Sequence, residues 1–194
     1  LPNTAEHLGL DWEHIHALNP KLILASLRGF ASDVPSRGRA CLDSVAQAES
    51  GWMALTGDPD GGPVKTGPAL AEMTAALYFA NGIQAALLHR ERTGEALHVE
   101  VPMLEAALAA LGNAGAAVLM NGKAPRRSGN AHACLVPCQT FRCADGNLAL
   151  GVTHDPQFEV LALWLGLDLD AEQGWRSNAG RVQDRERLVP ALEA

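Results

Sequence analysis

The chain has 194 residues, 47% of them hydrophobic and 19% charged, a balance that excludes disordered, fibrous and low-complexity proteins and leaves a globular one. Its formal charge of −7 is spread along the sequence with no Lys/Arg block, so neither nucleic acid nor an anionic membrane is an expected partner. A membrane-spanning helix needs about 20 mainly apolar residues, and the apolar stretch Met73–Leu88 is interrupted by Asn81 and Gln84.

The start, at Leu1, lacks the charged segment and apolar run of a secretory leader. Four cysteines (Cys41, Cys134, Cys138 and Cys143) are too sparse for a disulfide framework, which favours reduced thiols and a cytoplasmic location.

In chain order, Asp11 is the expected N-cap of a short helix through Leu18, stopped by Asn19–Pro20. Leu22–Leu27 reads as a buried strand. Asp43 is expected to cap a helix running to about Thr56, followed by a Gly/Pro/Asp turn cluster over Gly57–Pro63. The stretch from Pro68 to Arg92 is apolar almost all round, as in a buried helix, and Gly94 supplies its stop. Leu97–Val101 is the second strand. Pro102 suits the first turn of a helix extending to about Met120, because the N–H it lacks is unpaired there anyway.

A polar connection, Lys123–Asn130, then leads to an expected hairpin of Gln139–Cys143 and Asn147–Thr153 around an Asp145–Gly146 turn. Asp155–Pro156 opens a helix with Phe158, Leu161, Ala162 and Leu165 on one face, ended by Gly166, and a last helix starts near Asp184. The division expected is residues 1–122 as part of a large domain and 123–194 as linker and the start of a small one. Strands alternating with long apolar helices imply a parallel α/β sheet, but two strands cannot cover so much helix surface. More sheet must come from elsewhere, as in a fragment of a larger fold.

Neither a phosphate-binding G-x-x-x-x-G-K-[ST] nor a strand-to-helix G-x-G-x-x-G occurs, and there is no G-x-S-x-G hydrolase elbow. His132, Cys134, Cys138 and Cys143 offer zinc-type donors without any C-x-x-C spacing, and no metal is expected. Glu72 is the one acidic residue between Pro68 and Arg90. By residue type alone it is an exposed or paired glutamate favoured by the helix dipole, or a carboxylate with a chemical task. Arg39 reads as a surface cation and Arg126–Arg127 as a solvated linker; Gly129–His132 is either a lid or an interdomain turn.

Several blocks in order resemble the family III coenzyme A transferases, the group of formyl-CoA and carnitine-type transferases and the related acyl-CoA racemases. The opening PNTAEHLGLDW and LNPKLILASLRGF (Leu18–Phe30) are similar to that family, as are DSVAQAESG (Asp43–Gly51), Thr56–Gly57, LHRERTG (Leu88–Gly94) and Val99–Leu108. Arg127–Asn130 with Asp145–Gly146 resembles the start of its small domain.

The resemblance implies an α/β protein: part of a Rossmann-like open parallel-sheet large domain, then a small α+β domain, in subunits interlocked like links of a chain. It implies transfer of coenzyme A between an acyl-CoA and a free carboxylic acid, through anhydride and enzyme-CoA thioester intermediates on a carboxylate. Coenzyme A is then a substrate, and no permanently bound cofactor is called for.

The family nucleophile is an aspartate within V-G-x-x-x-x-D-x-x-x-G, and Glu72 stands at that place in Thr66–Ala76. The extra methylene bears on activity, since misplacement by about 1 Å costs on the order of 100-fold. By the same resemblance His7 stands where an arginine often meets the coenzyme A phosphates, and imidazole is a weaker anion partner than guanidinium. Leu8 and Met103 match apolar coenzyme A contacts, and Asp43 an acidic active-site residue. Leu42 replaces a common tyrosine, and Asn130 and His132 fall in the segment that closes over the site in formyl-CoA transferase. Two alternatives accompany this reading: a non-catalytic coenzyme A-binding subunit of a hetero-oligomer, and a racemase, disfavoured because Leu42 occupies the place of the racemase histidine.

Overall fold

The computed structural model describes residues 4–193, which separate into two compact units. The first comprises the chain up to Gly57 together with Gly61–Arg127; the second comprises Asp58–Asp60 and the chain from Ser128 onward.

The first unit begins with α1 (Thr4–His7) and α2 (Trp12–Leu18). Asp11 caps α2 as expected, accepting from the His14 N–H at 3.0 Å. Strand β1 (Leu24–Arg28) pairs in parallel with β2 (His98–Pro102), Leu24 opposite His98 and Arg28 opposite Pro102. Parallel strands need a long crossover. Here it contains α3 (Asp43–Glu49), α4 (Trp52–Leu55) and the 24-residue α5 (Leu70–Thr93). Gly94, at φ +77°, ends α5 with its N–H on the Arg90 carbonyl, as its position suggested. After β2 come α6 (Met103–Ala109) and α7 (Asn113–Asn121).

Two helices expected to be continuous are broken. The one starting at Asp43 stops at Ser50 because Gly51 takes φ +90°, and α4 restarts beyond it. The one following Pro102 bends by 83° between α6 and α7, at Gly112 with φ +55°. Glycine reaches positive φ without the Cβ clash that other residues incur, and an apolar pattern running through both breaks hides them. No single helix among the described residues is long and apolar enough to cross a membrane.

The core of this unit is a cluster of small side chains, Ala46, Ala71, Ala75, Ala106 and Ala107, around Met103. Alanines let α3, α5 and α6 approach closely. The rest of α5 differs from the all-round burial expected of it, with Met73, Leu77 and Leu88 more than half exposed. A helix of 24 residues is about 36 Å long, twice the span of a five-residue strand at about 3.3 Å per residue.

In the second unit β3 (Cys138–Cys143) and β4 (Gly146–Gly151) form the expected antiparallel hairpin. Its two-residue turn is Ala144–Asp145, with Gly146 already paired to Cys143, one residue earlier than the Asp-Gly spacing suggested. Then come α8 (Asp155–Trp164), α9 (Asn178–Gln183) and α10 (Arg185–Glu193). Phe158 and Ala162 of α8 are fully buried with Val136, Val152, Trp175 and Leu188, whereas Leu165 is 48% exposed. Gly166, at φ +68°, turns the chain there, and Leu167 packs on the cluster instead.

Candidate functional site

Glu72 is the third residue of α5, a helix whose N-cap, Ala69, has no side-chain acceptor for the free N–H groups at its start. Asp43 supplies that acceptor from another helix: its Oδ1 takes the N–H groups of Ala71 at 2.9 Å and Glu72 at 3.3 Å. Glu72 returns the arrangement, its Oε1 accepting from the Asp43 N–H at 3.3 Å. Each carboxylate therefore caps the helix that carries the other. Asp43 does not cap its own helix as the sequence suggested; it is the first residue of α3, behind Leu42.

A third residue fixes the pair. Gln47, one turn along α3 and wholly buried, donates through Nε2 to Asp43 Oδ2. Its Oε1 accepts from the Thr66 N–H at 3.0 Å and the Thr66 hydroxyl at 3.1 Å, pinning the loop before α5. Asp43 is 9% exposed, so its charge rests on these partners. Glu72 itself is exposed. The arrangement presents a free carboxylate at a helix N-terminus with one oxygen held and the other open to an electrophile.

Gln47 and Thr66 escaped the site reading of the sequence, although Asp43 and Gln47 stand at the i,i+4 spacing that places side chains together on a helix. Gln47→Ala is expected to destabilise the protein by about 2 kcal/mol, because the Thr66 N–H and the Asp43 carboxylate each lose a buried partner. A urea unfolding midpoint at unchanged m-value measures it.

Leu42, the neighbour of Asp43, lines an open cleft of about 680 Å³ together with the carboxyl end of β1 (Leu27, Arg28) and Gly29 after it, with Glu6, Leu8 and Leu10, and with Arg37, Arg39 and Cys41. Leu42 is the residue immediately before Asp43, so cleft and carboxylates are adjacent along the backbone. Ligands of open parallel sheets bind beyond the carboxyl ends of the strands, and this cleft has that position. In a chain of net charge −7 its lining holds three arginines and one glutamate.

Leu8 and Leu42 thus meet in one cleft. His7, the last residue of α1, is exposed and is not among the lining residues. Met103 is 4% exposed, in the alanine cluster. Asn130 and His132 belong to the second unit, both exposed. The His132 N–H donates to the Cys138 carbonyl at 2.8 Å and its Nδ1 accepts from the Cys134 N–H at 3.1 Å. Arg127 has a specific place rather than a solvated one, donating to the carbonyls of Ala54 and Gly61. Arg39 pairs with Glu49 at 2.6 Å and lies over the Phe30 ring.

Burial, reinforced by Glu49, pushes the Cys41 thiol up from its ordinary range. Alkylation is expected to reach the exposed Cys134 and Cys143 well before Cys41, because the thiolate is the reacting form. Peptide mass mapping over time measures the order, and equal rates for all three would contradict it. Among the described residues no group of three or more His, Cys, Asp or Glu side chains is placed to hold a metal ion.

The family model described as CoA-transferase family III matches residues 1–194. The succinate–glutarate CoA-transferase of Agrobacterium fabrum is 40% identical over 175 residues, 90% of this chain and 44% of that protein. The acetyl-CoA:oxalate CoA-transferase of Acetobacter aceti is 34% identical over 99% of this chain and 50% of its own length. A crystal structure of a CAIB/BAIF family protein from Brucella suis superposes with a TM-score of 0.81 at 37% identity, covering 97% of this chain and 50% of that one. The chain spans about half the length of the curated relatives it matches.

Proposed function

The chain belongs to CoA-transferase family III, and from that membership we propose that the complete protein moves coenzyme A from an acyl-CoA to a free carboxylic acid, with Glu72 as the nucleophile. The observation that carries this reading is the Glu72 carboxylate, exposed at the start of α5 and held through one oxygen by the Asp43 N–H.

A Glu72 oxygen attacks the thioester carbonyl of the donor, the C–S bond breaks, and coenzyme A leaves as thiolate from a mixed anhydride. The thiolate then attacks the Glu72 carbonyl, releasing the donor acid and leaving coenzyme A on Glu72 as a thioester. The acceptor carboxylate attacks that same carbonyl, forming a second anhydride and freeing the thiolate. Attack of the thiolate on the acceptor's carbonyl yields the new acyl-CoA and restores the Glu72 carboxylate. No bond is hydrolysed, and one difficult exchange is divided into easier acyl transfers.

The Asp43 N–H hydrogen bond holds the carboxylate in one orientation, and the helix N-terminus stabilises it as leaving group in the last step, when the second anhydride breaks. The apolar walls of the cleft, Leu8, Leu10, Leu27 and Leu42, suit the uncharged parts of coenzyme A, and its arginines the phosphates.

Succinate, glutarate and oxalate, which appear in the names of the relatives, are dicarboxylic acids, and we take that class as the acceptor here. The exposed face of α5 fits a complete protein in which further chain and a second subunit, identical or related, enclose the site. The test is to incubate the full-length protein with succinyl-CoA and a panel of mono- and dicarboxylic acids and to follow new thioesters by mass spectrometry. Exchange with dicarboxylic acids supports the proposal; no exchange with any acid, under conditions where coenzyme A binds, would leave a non-catalytic coenzyme A-binding subunit in its place.

A further inference from the structure

Resting on the coenzyme A reading above, we infer that Arg37 is the residue with which this chain grips a phosphate of coenzyme A, the task that resemblance assigned to the position of His7. His7 does not line the cleft, and three arginines do.

Two of the three are already engaged. Arg28 bonds Glu6 at 3.0 Å and pairs with Glu100 at 3.1 Å. Arg39 pairs with Glu49 at 2.6 Å and covers the ring of Phe30. Among the described residues Arg37 has no carboxylate, carbonyl or ring partner for its guanidinium, while Asp33, the nearest acid in sequence, lies four residues away outside the lining.

The backbone beneath it is set. Arg37 sits in a 3-10 turn, Pro35–Gly38, opened by a proline of restricted φ. Its N–H bonds the Val34 carbonyl at 3.1 Å, and the Arg39 N–H bonds that of Ser36 at 2.8 Å. A fixed main chain thus holds an unpaired, exposed guanidinium in the lining of a cleft whose one carboxylate, Glu6, is already taken by Arg28. Guanidinium takes phosphate through paired N–H donors, so the chemistry this position recognises is a phosphate ester or anhydride. In a cleft lined by Leu42, next in the chain to Asp43, that is the nucleotide end of coenzyme A.

The full-length protein and its Arg37→Ala, Arg37→Lys and His7→Ala variants would be titrated calorimetrically with coenzyme A, 3′-dephospho-coenzyme A and pantetheine. Arg37→Ala is expected to weaken coenzyme A about 10- to 100-fold, the effect of one charge-assisted hydrogen-bonding group, and to leave pantetheine, which has no phosphate, unchanged. Arg37→Lys should recover part of the loss and His7→Ala should change little. A loss that disappears with the dephospho compound assigns the contact to the 3′-phosphate, and one that persists assigns it to the diphosphate. Equal weakening of coenzyme A and pantetheine, or a larger effect from His7→Ala, would overturn the inference. Wild-type protein that binds none of the three compounds would instead overturn the coenzyme A reading on which it rests.

Discussion

Replacing Glu72 with glutamine is expected to lower coenzyme A transfer on the order of a thousandfold or more while leaving the protein folded. An amide cannot attack a thioester, so the covalent route is lost. Its oxygen can still accept from the Asp43 N–H, the contact Glu72 makes at 3.3 Å, and the side chain is exposed, so little stability should be lost. That separation makes the result interpretable.

Incubating the wild-type protein with succinyl-CoA and trapping with hydroxylamine or borohydride should modify the peptide that contains Glu72, and Glu72→Gln should give no modified peptide. Active enzyme without an adduct at Glu72 would remove it from the mechanism. Glu72→Asp is the complementary variant, since it supplies the aspartate that the resemblance expects at this position. It withdraws the carboxylate by one bond, about 1.5 Å, from the place where the Asp43 N–H now holds it. An adduct that persists in Glu72→Asp would show that the site tolerates either length of carboxylate.

The largest loss of stability is expected from Arg181, in the second unit. This guanidinium is wholly buried and spends its donors on three different segments. Nε bonds the Val136 carbonyl at 2.7 Å, one terminal nitrogen the Trp175 carbonyl at 2.8 Å, and the other the Asp155 carboxylate at 2.8 Å. It also lies 4.4 Å from the centre of the Phe158 ring, at the heart of the apolar cluster.

Substituting methionine keeps most of the volume but leaves the Val136 and Trp175 carbonyls without their donor, while Asp155, half exposed, keeps the Asn178 N–H. The expected cost is about 3–5 kcal/mol, a large part of the 5–15 kcal/mol that holds a typical domain together. Lysine keeps the charge without the planar fork that reaches three acceptors at once, so Arg181→Lys should also be destabilised, by less. Urea unfolding of the full-length variants measures both, and an Arg181→Met midpoint equal to wild type would refute the assignment.

Much of the local architecture was legible in the sequence. Asp11 before an apolar helix, Gly94 after one, and the hairpin at residues 138–151 are signals whose partners lie within a few residues, so spacing is enough to read them. The breaks at Gly51 and Gly112 were missed for the opposite reason. A glycine inside an apolar helical pattern looks like a tolerated weakness, and whether it turns to positive φ depends on what the two halves must pack against. Arg181 was invisible as a core residue because arginine is ordinarily read as surface, and its acceptors at Val136 and Asp155 stand 45 and 26 positions away.

Membership of the family, and with it the candidacy of the Glu72 carboxylate as nucleophile, could be read from the sequence by itself, because the order and spacing of many short blocks specify the family. What holds that carboxylate could not. Asp43 and Glu72 are 29 residues apart, and they cap each other's helices only because alanines 46, 71 and 75 allow α3 and α5 to approach closely. The same holds for the arginines of the cleft. Three guanidinium groups are equivalent in sequence, and only the fold brings glutamates to Arg28 and Arg39 while leaving Arg37 unpaired, because which charge meets which is decided by packing between distant segments.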